Sequence, residues 1–305
     1  MESVKRLSRR FLVALALAAG GWLTVTADQQ LTLPLKADSV RFGVIGDNGT
    51  GEVPQYEVGQ QLATFHERFP FTFVLMMGDN LYGPQRPQDF VKKFETPYQL
   101  LLEAKVDFYA SLGNHDDPNQ RFYKPFNMNG ERFYTFTKGN IEFFVLDSNY
   151  MDRKQLDWFE RSIKDSKSDW KMAYFHHPLY SSGEAHGSEV DLRTMLEPLF
   201  VKYGIDVVFA GHEHFYERVK PQKGIHYFTC GGSAKLRKGD IRKGSGLTEK
   251  GDDIENTFMV VEVTKDVFNF QTVSRGGVTI DSGAFHRPQK PSLRDGQSGP
   301  ATMKY

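Results

Sequence analysis

The apolar positions of this chain alternate between two periods. Residues 41–46, 71–77, 106–112, 141–146, 170–175 and 205–210 are short, nearly unbroken apolar runs rich in Val, Phe and Ile, the pattern of strands covered on both faces. Between them the spacing becomes helical: Tyr56, Val58, Leu62, Phe65 and Phe69, then Phe90, Val91, Phe94, Tyr98 and Leu101, then residues 155–163 and 190–203. Strand and helix in alternation predict a layered α/β fold. Residues 132–138, a Gly139-Asn140 turn and residues 141–146 predict a hairpin, and residues 257–263, 267–273 and 277–280 predict antiparallel strands near the end. A mixed sheet is therefore expected. Residues 231–253 read as a long Gly-rich, basic loop and residues 286–305 as a mobile polar tail. With no solenoid-like repeat, one domain over residues 38–284 is expected.

The first 27 residues have a different purpose. Lys5, Arg6, Arg9 and Arg10 precede an uncharged apolar stretch, and Val25-Thr26-Ala27 supplies a small-residue cleavage site, the order of a signal peptide. Ser8-Arg9-Arg10-Phe11-Leu12 also resembles a twin-arginine export signal. A secreted or periplasmic location follows, with no stable membrane association after cleavage. The alternative is a membrane anchor through residues 11–27, interrupted by Gly20-Gly21 and short of the ~20 residues that span a bilayer.

Bulk composition mainly excludes. Lys and Arg number 38 and Asp and Glu 38, so no global field recruits nucleic acid or anionic lipid, and a nucleic-acid scaffold is disfavoured. Hydrophobic residues at 39% and aromatic residues at 13% exclude a mainly disordered chain. A single cysteine, Cys230, excludes an internal disulfide and a Cys-based zinc site. Metal chemistry thus falls to nine histidines and the carboxylates.

Their placement is the strongest signal in the chain. Five apolar runs end in Gly46-Asp47-Asn48-Gly49, Gly78-Asp79-Asn80-Leu81-Tyr82, Gly113-Asn114-His115-Asp116, His176-His177-Pro178 and Gly211-His212-Glu213-His214. In open α/β sheets ligands bind beyond the carboxyl ends of strands, so five such tips should share one crevice. Glycine before the Asp or Asn allows a sharp turn and a close backbone approach. Asp and Asn oxygens mixed with imidazoles suit Zn, Mn or Fe. His212 and His214, two apart at a strand tip, project to one side and can serve two ions. His66, His226 and Cys230 read as structural, Trp158 and Phe159 as one helix face, and Arg218 and the basic loop 235–250 as solvated surface or as a rim that attracts phosphate.

In order and type these blocks resemble those of the calcineurin-like metallophosphoesterases. The pairing of Gly46-Asp47-Asn48-Gly49 with Gly78-Asp79-Asn80-Leu81-Tyr82, and the run His212-Glu213-His214-Phe215-Tyr216-Glu217-Arg218, are similar to the short, single-domain purple acid phosphatases. The resemblance implies a four-layer β-sandwich of mixed sheets flanked by helices, and an acid phosphomonoesterase that uses metal-bound hydroxide for in-line attack on phosphorus, with small phosphomonoesters or phosphoproteins as substrates. It implies Asp47, Asp79, Tyr82 and His214 around Fe(III), Asn114, His176 and His212 around Fe(II), Zn or Mn, and Asp79 between the two. His115 and His186 become candidate catalytic groups at phosphate or the leaving oxygen. His186 also reads as plain loop, Asp116 as an orienter of His115, and His177 as a rival to His176 that strand alternation would turn away. A phosphodiesterase or nucleotide pyrophosphatase on the same core, and a non-catalytic metal-binding or sensor protein, are the alternatives.

Overall fold

The structure is a computed structural model that describes residues 31–287. The export segment at residues 1–27 and the tail beyond 287 lie outside the described residues. In chain order the strands are β1 (Val40–Ile45), β2 (Phe73–Met76), β3 (Asp107–Ala110), β4 (Tyr134–Lys138), β5 (Ile141–Val145), β6 (Trp170–Tyr174) and β7 (Val207–Ala210). They continue with β8 (Tyr216–Gln222), β9 (Ile225–Cys230), β10 (Thr248–Asp252), β11 (Thr257–Val263), β12 (Val267–Ser274) and β13 (Thr279–His286). The helices are α1 (Val53–Arg68), α2 (Pro87–Phe90), α3 (Gln99–Glu103), α4 (Arg153–Asp165) and α5 (Val190–Tyr203).

These strands form two mixed sheets, ordered β13-β12-β11-β1-β2-β3 and β10-β8-β9-β7-β6-β5-β4. Along β1 the side chains alternate: Phe42 and Val44 enter the core between the sheets, and Ile45 enters a second core beneath α1. Val58, Leu62 and Phe65 of α1 and Leu101 of α3 cover the outer face of the first sheet. Phe159 and Ile163 of α4, with Leu192, Leu196 and Phe200 of α5, cover Phe144, Ala173 and Val208 on the second. Helix, sheet, sheet and helix give the four layers expected, and both sheets carry apolar residues on both faces because each is interior. The hydrophobic effect is satisfied separately in three cores.

The polar elements differ from the expectation. Residues 231–253 are not all loop, because β10 pairs antiparallel with β8. Both strands escape an apolar-run reading for one reason: buried Glu217 of β8 replaces hydrophobic contact with bonds, accepting from Ser182 N–H at 2.9 Å and from the Thr248 hydroxyl at 2.6 Å. The last strand begins at Thr279 and continues through His286, which pairs with Val267, so His286 belongs to the sheet. At the other end Leu33 is buried, and Leu35 N–H donates to Glu262 at 2.8 Å. The packed unit therefore extends past residues 38–284 at both ends. The helical spacing of Phe90 to Leu101 resolves into α2, a π turn at Val91–Glu95 and α3. Pro97 cannot donate to the helical ladder, and Thr96 N–H reaches back five residues to Val91 O at 2.9 Å.

His226 sits in β9 with its ring flat on Phe285, centroids 3.5 Å apart. Burial, reinforced by Arg218, pushes its imidazole down to about 4. The folded state therefore holds it neutral while the unfolded chain protonates near 6.5. Between those values the unfolded state binds more protons, so this contribution to stability is present above about 6.5 and is lost as pH falls towards 4. Urea unfolding of wild type and His226→Phe at pH 7 and pH 4.5 should show the smaller acid loss in the variant; equal losses would remove His226 from the account.

Candidate metal centre

The register of both sheets brings five strand ends to one edge. Ile45 lies beside Met76 and Met76 beside Ala110 in the first sheet, and Tyr174 lies beside Phe209 in the second. Pairing continues past the strands: Met77 N–H donates to Ile45 O at 2.8 Å, and Gly211 N–H to His176 O at 2.9 Å. The crevice thus lies between two sheets, not along one. The His176 ring joins them. Its Nδ1 lies 2.8 Å from Met77 O, and since a carbonyl only accepts, Nδ1 carries the proton and Nε2 presents a lone pair.

The glycines act differently from the expectation. Gly78 has φ 84, but elsewhere the left-handed residues are the candidate ligands themselves: Asp47 at φ 52, Asp79 at 51 and His212 at 68. Non-glycine residues in that region carry roughly 1–3 kcal/mol of strain, which surrounding structure must hold in place. Gly113 and Gly211 serve close approach. A Cβ on Gly113 would fall 2.2 Å from Asp79 Oδ1, and one on Gly211 would fall 2.5 Å from Asp47 Oδ2.

The side chains converge in two overlapping groups. In one, the Tyr82 hydroxyl donates to Asp47 Oδ1 at 3.0 Å and lies 3.2 Å from His214 Nε2, itself 3.5 Å from Asp47 Oδ1. In the other, Asn114 Oδ1 lies 3.0 Å from His176 Nε2 and 3.1 Å from His212 Nδ1, with the two nitrogens 3.2 Å apart. Asp79 belongs to both: its Oδ1 is 3.5 Å from His176 Nε2, and ligand atoms of Asp47, Asp79 and His176 all lie within 4.8 Å of one another. Without cations this is unfavourable. Asp47 and Asp79 are fully buried side by side, and burial together with the Asp79 charge holds the Asp47 carboxyl well above the usual range. Burial first, then the crowding of further imidazoles that cannot all be charged together, His177 foremost, pushes the His176 imidazole far down, and His212 falls to about 2 for the same first reason. Buried carboxylates, neutral imidazoles with inward lone pairs and one amide oxygen are what a pair of hard-to-borderline cations requires. The donor set fits two metal ions.

Around it, His115 is exposed, its ring centroid 4.9 Å from that of Tyr82, and its N–H donates to Asp79 Oδ1 at 2.9 Å. Asp116 does not orient that ring. Its carboxylate accepts from Gly113 N–H (2.8 Å), Asn80 N–H (3.1 Å), Leu81 N–H (3.0 Å) and the Gln120 amide (2.8 Å), fastening the Asp79 loop to the Asn114 loop. His177 is not turned away, because β6 ends at Tyr174 and strand alternation no longer applies. Its ring lies 4.4 Å from that of His212, its Nδ1 is 2.8 Å from the Ser148 hydroxyl, and it can share a metal-capable group with His176 and His212. His186 also reaches the site, its ring 4.3 Å from that of His212. Beneath it, buried Glu213, pushed up to about 7 by burial first, accepts from Gly187 N–H and holds the His186 loop.

Other expectations are decided by contacts. Arg218 pairs with Asp281 at 2.8 Å, joining β8 of one sheet to β13 of the other, away from a phosphate role. His66 bonds Phe71 O at 3.0 Å and Cys230 is buried, as structural residues should be. The basic loop, in contrast, comes back to the site with Lys235 and Arg237. His177 and Glu213 lie within the strand-end blocks, but what each does, like the place of Lys235, depends on which loops fold together.

The calcineurin-like phosphoesterase family matches residues 40–216. The chain belongs to this family of metal-dependent phosphatases. Within it the similarity runs to acid phosphatases: 27% identity over 251 residues with purple acid phosphatase 17 of Arabidopsis thaliana, covering 70% of this chain and 74% of that one. Human tartrate-resistant acid phosphatase type 5 is 26% identical over 258 residues, covering 69% and 79%. Two solved structures share the fold. Purple acid phosphatase PPD1 from yellow lupin has a TM-score of 0.68 at 18% identity, covering 82% of this chain and 54% of that one. GAP50 of Plasmodium, described as the anchor in the inner membrane complex, has 0.70 at 19%, covering 83% and 90%. No helix among the described residues is long and apolar enough to cross a membrane.

Proposed function

We propose that this chain is an exported acid phosphomonoesterase with a pair of unlike metal ions. The observation that carries the reading is the convergence of two carboxylates, a phenol, an amide oxygen and three imidazoles at one edge between the sheets. In this reading Asp47, Tyr82 and His214 would hold Fe(III), Asn114, His176 and His212 would hold Fe(II), Zn or Mn, and Asp79 would serve both. When bound, the cations would supply Lewis acidity towards the phosphoryl oxygens and acidify a water for in-line displacement. The chain supplies the rest. His115, free at the rim and positioned by its N–H bond to Asp79, can bond a phosphoryl oxygen or pass a proton to the leaving oxygen. His186 faces the same space from the other loop. Burial and then Arg237 keep its imidazole below the ordinary value, which favours the neutral form.

Metal analysis together with a phosphoester panel at pH 5–7 tests the reading. Two metal ions per chain and faster turnover of monoesters than diesters are expected. Metal-replete protein that hydrolyses neither class overturns it, and faster diester turnover replaces it with a phosphodiesterase. Iron at Tyr82 is expected to give a visible absorption band that Tyr82→Phe removes; a colourless protein holding Zn or Mn would overturn the ferric assignment. Export is tested by sequencing the amino terminus of the secreted protein, expected at or near Asp28. An intact Met1 recovered in membranes would support the anchor.

A further inference from the structure

The π turn at Val91–Glu95 leaves two backbone carbonyls without their helical partners, and α1 takes both. Thr96 N–H bonds Val91 O and so passes over Lys92 O, which accepts from the Tyr56 hydroxyl at 3.0 Å. Lys93 O would be met by residue 97 in a regular helix, but Pro97 has no N–H, and the buried Gln55 amide donates to it at 2.5 Å instead. Gly51 N–H holds Gln55 in turn at 2.7 Å. The π turn is thus docked on α1, with the Lys93 side chain buried beneath the loop that carries Tyr82. Its ammonium donates to Tyr82 O at 2.6 Å and to Pro84 O at 2.8 Å, and Asp89 stands 4.0 Å away. An ammonium taken out of water needs such partners, and here two of them are the carbonyls of one short turn. The far side of that turn is open: Gly83 has φ 69, a Cβ on it would meet nothing within 4 Å, and Pro84 is exposed.

We propose that Lys93 is a positioning residue for the metal centre: by holding the turn Tyr82-Gly83-Pro84 from below, it keeps the Tyr82 phenol between Asp47 and His214. The functional part of this rests on the phosphoesterase reading above. The phenol reaches Asp47 Oδ1 at 3.0 Å and His214 Nε2 at 3.2 Å. Its backbone is fixed on both sides, the N–H to Gly49 O at 2.9 Å and the carbonyl to Lys93. Together these two bonds set the direction of the Cα–Cβ bond, and with it the place of the ring. Removing the ammonium leaves the Gly49 bond and frees the other, so the ring can swing while the strands stay folded. Groups that orient a metal ligand from behind are worth roughly 10- to 100-fold in metal affinity.

Zinc binding by the full chain, measured against a competing chelator, is the test. Wild type is expected to hold two ions. Lys93→Met should weaken one of them about tenfold, while Lys92→Met, at the exposed neighbouring position, should match wild type. The deciding measurement repeats the substitution in a Tyr82→Phe background. Positioning acts through the phenol, so Lys93→Met should there cost less than about twofold further. An undiminished loss in that background makes Lys93 a general stabiliser and overturns the proposal, as does unchanged affinity in the presence of Tyr82. Lys93→Gln, a milder change, should show the same coupling at reduced size, and it carries the test if Lys93→Met does not fold. Hydrogen exchange of the metal-free chain examines the tie separately: residues 81–86 should exchange about tenfold faster in Lys93→Met, with β5 and β6 unchanged. Unaltered exchange at 81–86 overturns the tie itself. A wild-type chain that binds no zinc overturns the metal-centre reading instead, and the exchange result still decides the tie.

Discussion

Asp79→Ala is expected to lower phosphomonoesterase activity by at least about 10³-fold, some 4 kcal/mol of barrier, and to reduce bound metal below two ions per chain. No other side chain belongs so evidently to both halves of the centre. Its Oδ1 approaches His176 Nε2 at 3.5 Å, its ligand atoms group with those of Asp47, and the same Oδ1 accepts the His115 N–H at 2.9 Å. Alanine removes a buried charge and also releases the backbone position of His115, so loss of metal and loss of the candidate proton donor should come together. Asp79→Asn separates the two effects, since the amide retains an oxygen that can accept from His115 but not the charge; an intermediate activity with weakened metal binding is expected. Elemental analysis beside the rate measurement decides. An Asp79→Ala protein with two metals and more than a tenth of wild-type activity would mean that Asp79 does not bridge the halves.

The largest expected effect on stability is at Phe42→Ala, about 3–5 kcal/mol. Phe42 is fully buried between the sheets, stacked on Phe73 at 5.2 Å and edge-on to Phe143 at 5.5 Å and Phe209 at 6.2 Å. Phe143 and Phe209 belong to the opposite sheet, so the truncation opens a cavity at the seam, where neither sheet can close without moving its neighbours. For a domain of this size the melting temperature should fall by roughly 10 °C. Val53→Ala, exposed at the start of α1, should change stability by less than about 0.5 kcal/mol. A Phe42→Ala cost as small as that of Val53→Ala would place the stabilising core in the two sheet and helix layers instead. The seam also bears on the site, because Val44 of β1 and Phe209 of β7 pack in the same core just short of the Asp47 and His212 loops.

The parts of this fold that were legible in the chain are those whose burial is recorded in residue type. Runs such as 141–146 and 205–210 announce interior strands because only apolar side chains tolerate cover on both faces. β8 and β10 were not legible, since Glu217 and Thr248 bond each other inside the protein and look like surface residues in a sequence. Pro97 breaking the helical period of 90–101 was visible as a residue, but the π turn before it depends on where α3 packs. For the candidate site, the strand-end blocks pointed to Asp47, Asp79, Asn114, His176 and His212 because metal chemistry restricts which residue types can serve. The ring of His177 defied a rule of alternation that holds only inside a strand. The bonds of Asp116 to the backbone N–H groups of Asn80 and Leu81 join two loops far apart in the chain, which no local pattern encodes.

By itself, then, the sequence determined the layered class, the interior strands and the chemical character of the centre, because periodicity and ligand type are local properties of the chain. The tertiary structure alone decided that the five tips meet between two sheets, that Arg218 is a tie between those sheets, and that Lys235 and Arg237 stand at the rim of the centre. Each of these is a contact between residues far apart in the chain, set by how the sheets pack and by which loops share hydrogen bonds at their edge.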